Sequence, residues 1–148
     1  MDIVIGATGV LGFEIAQRLA AAGEPLAALV RATSDASKLE RLKTMGIALV
    51  QGDLKARSTL DACCKGVTTV ISTASSTFSR QPGDSIATFD HEGQLSLIEA
   101  ARAAGVRHFV LSRSLPRLRI SHFSGRTPPW PGQTSVKEYA KRALGPFS

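Results

Sequence analysis

Three glycines at intervals of three, Gly6, Gly9 and Gly12, follow a short apolar run ending at Ile5 and precede an amphipathic stretch from Val10 to about Ala22. That order of residue types suits one chemistry, the holding of a phosphate group on bare backbone. Gly6 permits a sharp exit from a strand, Gly9 lets the chain approach a pyrophosphate, and Gly12 lets a first helical turn sit close to a sheet. A helix beginning there also offers unsatisfied N–H groups and a partial positive charge to the same anion.

Further residues with usable chemistry stand at the ends of later apolar runs. Arg31 follows Leu26 to Val30, Asp53 and Leu54 follow Ile47 to Val50, and Thr73, Ala74 and Ser75 follow Val67 to Ser72. A carboxylate where Arg31 stands would hold two ribose hydroxyls, whereas an arginine can hold a 2′-phosphate through two parallel hydrogen bonds. Arg31 therefore favours NADP(H) over NAD(H), against the plainer reading of a solvated strand-end arginine. Asp53 is equally readable as a turn or helix-capping aspartate, and Thr73 to Ser75 as ordinary loop chemistry.

Ser112 and Ser114 end a fifth apolar run, but a hydroxyl without a neighbouring base is a poor proton donor. Ser112 and Lys141 remain as catalytic candidates, each outranked by its plain structural reading. His91, His108 and His122 share no metal-ligand spacing, so no metal site is expected. Cys63 and Cys64 read as helix-face packing and, being adjacent, cannot staple distant parts of a fold.

The elements that must position these residues follow from periodicity. Leu11, Ile15 and Leu19 recur on one helical face opposite Glu14, Gln17 and Arg18. A second helix is expected from Ser34 to Met45, capped by Ser34 or Asp35 with Leu39 and Leu42 inward. A third runs from Ser58 to about Lys65, carrying Leu60 and a cysteine inward. A fourth reaches Ala104, most securely from Glu92, with Leu95 and Ile98 marking its faces. Residues 74–83 read as a loop. Strand and helix alternate throughout, which argues for a doubly wound α/β fold: about five mostly parallel strands, right-handed crossovers and helices on both faces.

Composition bounds the rest. The chain has 148 residues, of which 43% are hydrophobic and 20% charged, enough for one domain with a real core. Its apolar runs are too short to span a membrane, no secretory leader is visible, and the cysteines suggest a reducing, cytoplasmic setting. The net charge of +6 lies wholly in residues 113–148, where seven Lys/Arg face Glu138 alone. Five of the seven prolines fall there too. The expected division is a folded unit over 1–112 and an irregular basic tail over 113–148. A shift of reading frame near Ser112 would produce the same break. Nucleic-acid binding through Phe123, Trp130, Tyr139 and Phe147 among the tail's arginines ranks below nucleotide binding.

Taken together, Gly6-Ala7-Thr8-Gly9-Val10-Leu11-Gly12, Leu29-Val30-Arg31, Gly52-Asp53-Leu54, Val70-Ile71-Ser72-Thr73 and Ala100 to Val110 resemble the NmrA-like branch of the atypical short-chain dehydrogenase/reductases. The resemblance implies a Rossmann fold binding NAD(P)(H), with Asp53 and Leu54 flanking the adenine and Thr73 to Ser75 near the nicotinamide. It implies either hydride transfer from NADPH to a quinone or carbonyl acceptor, or redox sensing without turnover. It also implies a longer protein with a lysine-bearing helix after the fifth strand. Ala140-Lys141-Arg142-Ala143 is similar to that helix, but its surroundings are not, and Tyr139 is followed four residues later by Ala143 rather than lysine. The expectation is a cofactor-binding protein without a complete active site; its substrate and oligomeric partner are not legible.

Overall fold

A computed structural model describes residues 1–75 and 92–112. The elements run β1 (Asp2–Ile5), α1 (Val10–Ala21), β2 (Leu26–Val30), α2 (Ala36–Thr44), β3 (Ala48–Gln51), α3 (Arg57–Cys64), β4 (Thr69–Ser72), α4 (Gln94–Ala103) and β5 (His108–Leu111). All strand pairs are parallel, in the order β3-β2-β1-β4-β5. This is the doubly wound Rossmann-like sheet expected from the alternation. The tail and most of the loop after β4 lie outside the described residues.

Alternation along the strands sends side chains to two cores. Ile3 and Ile5 join Leu60, Cys63, Cys64 and Leu97 under α3 and α4, while Val4 joins Ala16, Leu19 and Leu42 under α1 and α2. Central β1 and β2 are covered on both faces, so the uninterrupted apolar run of β2 is buried along its whole length. β3, at one end of the sheet, has exposed Ala48 and Gln51 and only half-buried Leu49 and Val50.

Two helix faces differ from the sequence reading. In α1 the buried residues are Gly12, Ala16 and Leu19, whereas Leu11 is 48% exposed. The helix lies so close to the sheet that small residues take the inner face and turn Leu11 outward. In α4 the buried set is Gln94, Leu97, Ala100 and Ala101, while Leu95 is 42% exposed. There the inner face includes a polar residue that an apolar-periodicity argument scores as outward.

Of the two proposed caps for α2, Asp35 holds the position. Its carboxylate accepts from the Ser37 hydroxyl and from the Lys38 N–H at 3.1 Å. Those bonds hold it below the ordinary aspartate range. A carboxyl depressed in the folded state stabilises at higher pH, and that contribution is lost as pH falls through its folded value. Asp35→Asn is therefore expected to cost stability above about pH 4, with a gap that closes on acidification. Thermal melts of both proteins between neutral and acid pH check this; a gap independent of pH would mean the charge contributes nothing to the cap.

Candidate functional site

The chain enters the site at the end of β1. Gly6 has φ +87°, a left-handed conformation natural to glycine, and a Cβ there would stand 2.8 Å from the Ala74 nitrogen and from Thr73 Oγ1. The turn is closed by the Gly9 N–H donating to the Gly6 carbonyl at 2.9 Å. Gly12 is tighter still, since a Cβ on it would fall 2.2 Å from the Gly6 carbonyl oxygen. Gly9 differs: its backbone is extended (φ −84°, ψ 168°) and a Cβ would meet the Gly6 oxygen at 3.3 Å, a tight but adjustable approach. The fold itself thus demands glycine at 6 and 12. At position 9 the fold makes no such demand.

The N-terminus of α1 opens at this turn. Its first bond runs from the Phe13 N–H to the Gly9 carbonyl at 2.9 Å, Gly9 has no side chain to cap it, and its first turn carries no acidic residue. An anion therefore meets converging N–H groups and the positive end of the helix dipole. Within the turn, Ala7 is fully buried in the core beneath α1 and α2, so only its backbone borders the site. Val10, 94% exposed, and Leu11 project outward from the start of the helix.

Strand register sets the remaining candidates along the same edge of the sheet. Ile5 pairs with Leu29 and Ser72, Val30 with Gln51, and Ser72 with Leu111, so Gly6, Arg31, Gly52, Thr73 and Ser112 each follow a strand end. In this strand order the connections leaving β1 and β4 diverge, which opens the crevice where ligands of such sheets bind. Arg31 and Asp53, read separately in the sequence, come together: Arg31 Nε lies 3.6 Å from Asp53 Oδ2, with both side chains partly shielded. The other carboxylate oxygen accepts the Lys55 N–H at 2.9 Å, so Asp53 is a turn aspartate and a partner of Arg31 at once. The Ser34 hydroxyl accepts the Arg31 N–H at 3.0 Å and secures the chain leaving β2.

Leu54 is not available as a side chain. It is 2% exposed and belongs to the core beneath α3 and α4, because the chain turns inward after Asp53. Lys38, which no sequence pattern singled out, reaches across from α2 and donates from Nζ to the Thr8 carbonyl at 3.0 Å. Only the packing of α2 beside the turn places it there.

At the end of β4, the Thr73 N–H and Oγ1 both donate to the Ile5 carbonyl, at 2.9 and 3.1 Å. Thr73, Ala74 and Ser75 are half-buried beside the glycine turn. Gln94, also missed, bridges this segment to α4. Its one sequence signal was helical spacing, since it stands three residues before buried Leu97.

Ser112 donates its N–H to the Ser72 carbonyl at 2.9 Å, and no described residue places a base against its hydroxyl. Lys141 and Ser114 lie outside the described residues. No cluster of metal-ligating side chains is found among the described residues. Cys63 and Cys64 are buried thiols whose sulfurs lie 3.9 Å apart, and contact with the Cys63 sulfur together with burial pushes the Cys64 thiol well above its usual range. No helix among the described residues is long and apolar enough to cross a membrane.

The sequence model of the NmrA-like family matches residues 3–148. The photosystem II assembly factor Ycf39 of Trieres chinensis is 38% identical over 76% of this chain and 34% of its own length. The NAD(P)H azoreductase of Xenophilus azovorans is 36% identical over 78% of this chain and 36% of its own. Among solved structures, the NADPH-dependent quinone oxidoreductase QOR2 of Escherichia coli, complexed with NADPH, superposes with TM-score 0.59 at 26% identity, covering 75% of this chain and 36% of that one. The chain thus spans about a third of the length of the curated relatives it matches.

Proposed function

The chain belongs to the NmrA-like family, and from that premise we propose that residues 1–112 form a unit that binds NADP(H), with 113–148 as a separate tail. The carrying observation is the glycine turn at the β1–β4 crevice, where Gly9 leaves open backbone at the uncapped start of α1. Pyrophosphate fits there, since the protein makes little use of the missing side chain at Gly9 and the helix presents its donors. Arg31, beside Asp53, and Lys38, reaching the Thr8 carbonyl, bring two cations to the adenine side, and the guanidinium of Arg31 suits a 2′-phosphate. Thr73 to Ser75 border the opposite half. When bound, the cofactor supplies hydride chemistry, and the protein supplies orientation.

Binding is the function these residues support. Among the described residues, no base stands against the Ser112 hydroxyl for the proton transfer that a reduction asks for. Reduction of a quinone or carbonyl acceptor and redox sensing without turnover share this binding step and diverge after it. The reading also places the protein in a reducing, cytoplasmic setting, with Cys63 and Cys64 as thiols.

Titration of the full chain with NADPH and NADH is expected to show binding of both, with NADPH tighter by about tenfold or more, one or two charge-assisted hydrogen bonds' worth. Absence of binding to either would overturn the reading, and equal affinity would overturn the role of Arg31. NADPH oxidation across a panel of quinones and carbonyls is expected to stay at background; clear turnover would favour the reductase.

A further inference from the structure

Gln94 opens α4 and is 5% exposed, an uncommon burial for a side chain with two donors and an acceptor. Both polar atoms of its amide are engaged. The Ser72 hydroxyl donates to Gln94 Oε1 at 2.9 Å, and Gln94 Nε2 donates to the Ala74 carbonyl at 3.1 Å. A backbone carbonyl can only accept, so the amide nitrogen must face Ala74 and the oxygen must face Ser72. A glutamate would present a second acceptor to the Ala74 carbonyl, so the site discriminates between two side chains of the same shape.

The two anchored residues flank Thr73, which is held from the other side by the Ile5 carbonyl. The segment leaving β4 is therefore fixed between β1 and α4. Ala74 is also the wall that Gly6 faces, since its nitrogen and Cα lie 2.8 and 3.0 Å from where a Gly6 Cβ would stand. The position of Ala74 thus sets the width of the crevice on the β4 side. The Arg31–Asp53 pair belongs to other strand ends, and the glycine turn, although it packs against this segment, is closed by its own bond from the Gly9 N–H to the Gly6 carbonyl.

We infer that Gln94 is a positioning residue that fixes the β4 wall of the crevice for the nicotinamide half of the dinucleotide. The inference rests on the NADP(H) reading above and specifies how that site is held. It separates the halves of the ligand: losing Gln94 weakens contacts to the nicotinamide half and spares those to the adenine half. Adenosine 2′,5′-bisphosphate, which retains the adenine half and the 2′-phosphate only, reads that difference.

Gln94→Met keeps length and bulk but removes both hydrogen bonds, and Gln94→Glu keeps the acceptor alone. Gln94→Glu is expected to lose about tenfold in NADPH affinity, the effect of one buried hydrogen bond, and Gln94→Met at least as much. Affinity for adenosine 2′,5′-bisphosphate should change less than about twofold. Ser72→Ala, which removes only the bond to Oε1, should show the same selective loss, smaller in size; it carries the test if the Gln94 variants do not fold. Equal loss for both ligands would overturn the inference in favour of a merely structural role, and unchanged NADPH affinity would overturn it outright. A wild-type chain that binds the bisphosphate no worse than NADPH would overturn it without touching the adenine-side reading. A wild-type chain that binds neither would remove that reading and the inference with it.

Discussion

Gly12→Ala is expected to destabilise the fold by about 2–3 kcal/mol and to abolish nucleotide binding, although alanine is the better helix former. The propensity gain is about 1 kcal/mol. Against it stands a Cβ placed 2.2 Å from the Gly6 carbonyl oxygen, 2.7 Å from its carbon and 2.6 Å from Thr73 Oγ1. Two of those atoms are backbone, and the oxygen already accepts the Gly9 N–H that closes the turn. Relief therefore requires α1 to lift off the sheet, which loosens Ala16 and Leu19 against Val4 and opens the turn itself. Thermal unfolding should show a midpoint lowered by roughly 10 °C.

Gly9→Ala separates a fold requirement from a ligand requirement. Its backbone conformation is open to any residue, and its Cβ would need only a small adjustment at 3.3 Å from the Gly6 oxygen. The melting midpoint should stay within a few degrees of wild type, while NADPH affinity falls at least about tenfold because the methyl occupies the approach of the pyrophosphate. If both variants melt alike, the distinction between these two glycines is wrong.

The contrast between those glycines marks where sequence reasoning stops. The turn, the strand ends and a cap at Ser34 or Asp35 are readable because each depends on neighbours within a few residues. The inner face of α1 was not, because apolar periodicity assumes that the largest residue points inward. Here the helix is pressed against the sheet, and Gly12 and Ala16 take that face while Leu11 turns outward. Gln94 escapes periodicity for the complementary reason: its burial depends on Ser72 and Ala74, 22 and 20 residues earlier in the chain, with which it shares no local pattern. Lys38 becomes relevant only once α2 lies beside the turn. Arg31 and Asp53 were each found, but their pairing depends on β2 and β3 being neighbours, a property of the assembled sheet.

That pairing makes Arg31 the second decisive position. Arg31→Ala is expected to weaken NADPH binding by about 10–100-fold while leaving NADH within about threefold, the effect of charge-assisted hydrogen bonds to a phosphate worth about 1.5–3 kcal/mol. Removing the arginine also changes what the 2′ position meets. The Asp53 carboxylate is held by the Lys55 N–H on one oxygen and loses its cationic neighbour on the other. It then repels a 2′-phosphate but can accept from the ribose hydroxyls of NADH, so the preference should invert rather than merely shrink. Asp53→Asn removes the repulsion while an amide oxygen can still take the Lys55 N–H, so its NADPH affinity should hold or rise. Because a doubly charged phosphate is involved, the wild-type preference should narrow as added salt shortens the screening length, while NADH binding shifts less. Calorimetric titration of both cofactors at two ionic strengths reads all of these effects. A parallel loss for both cofactors in Arg31→Ala would show that the arginine organises the strand end rather than reading the phosphate.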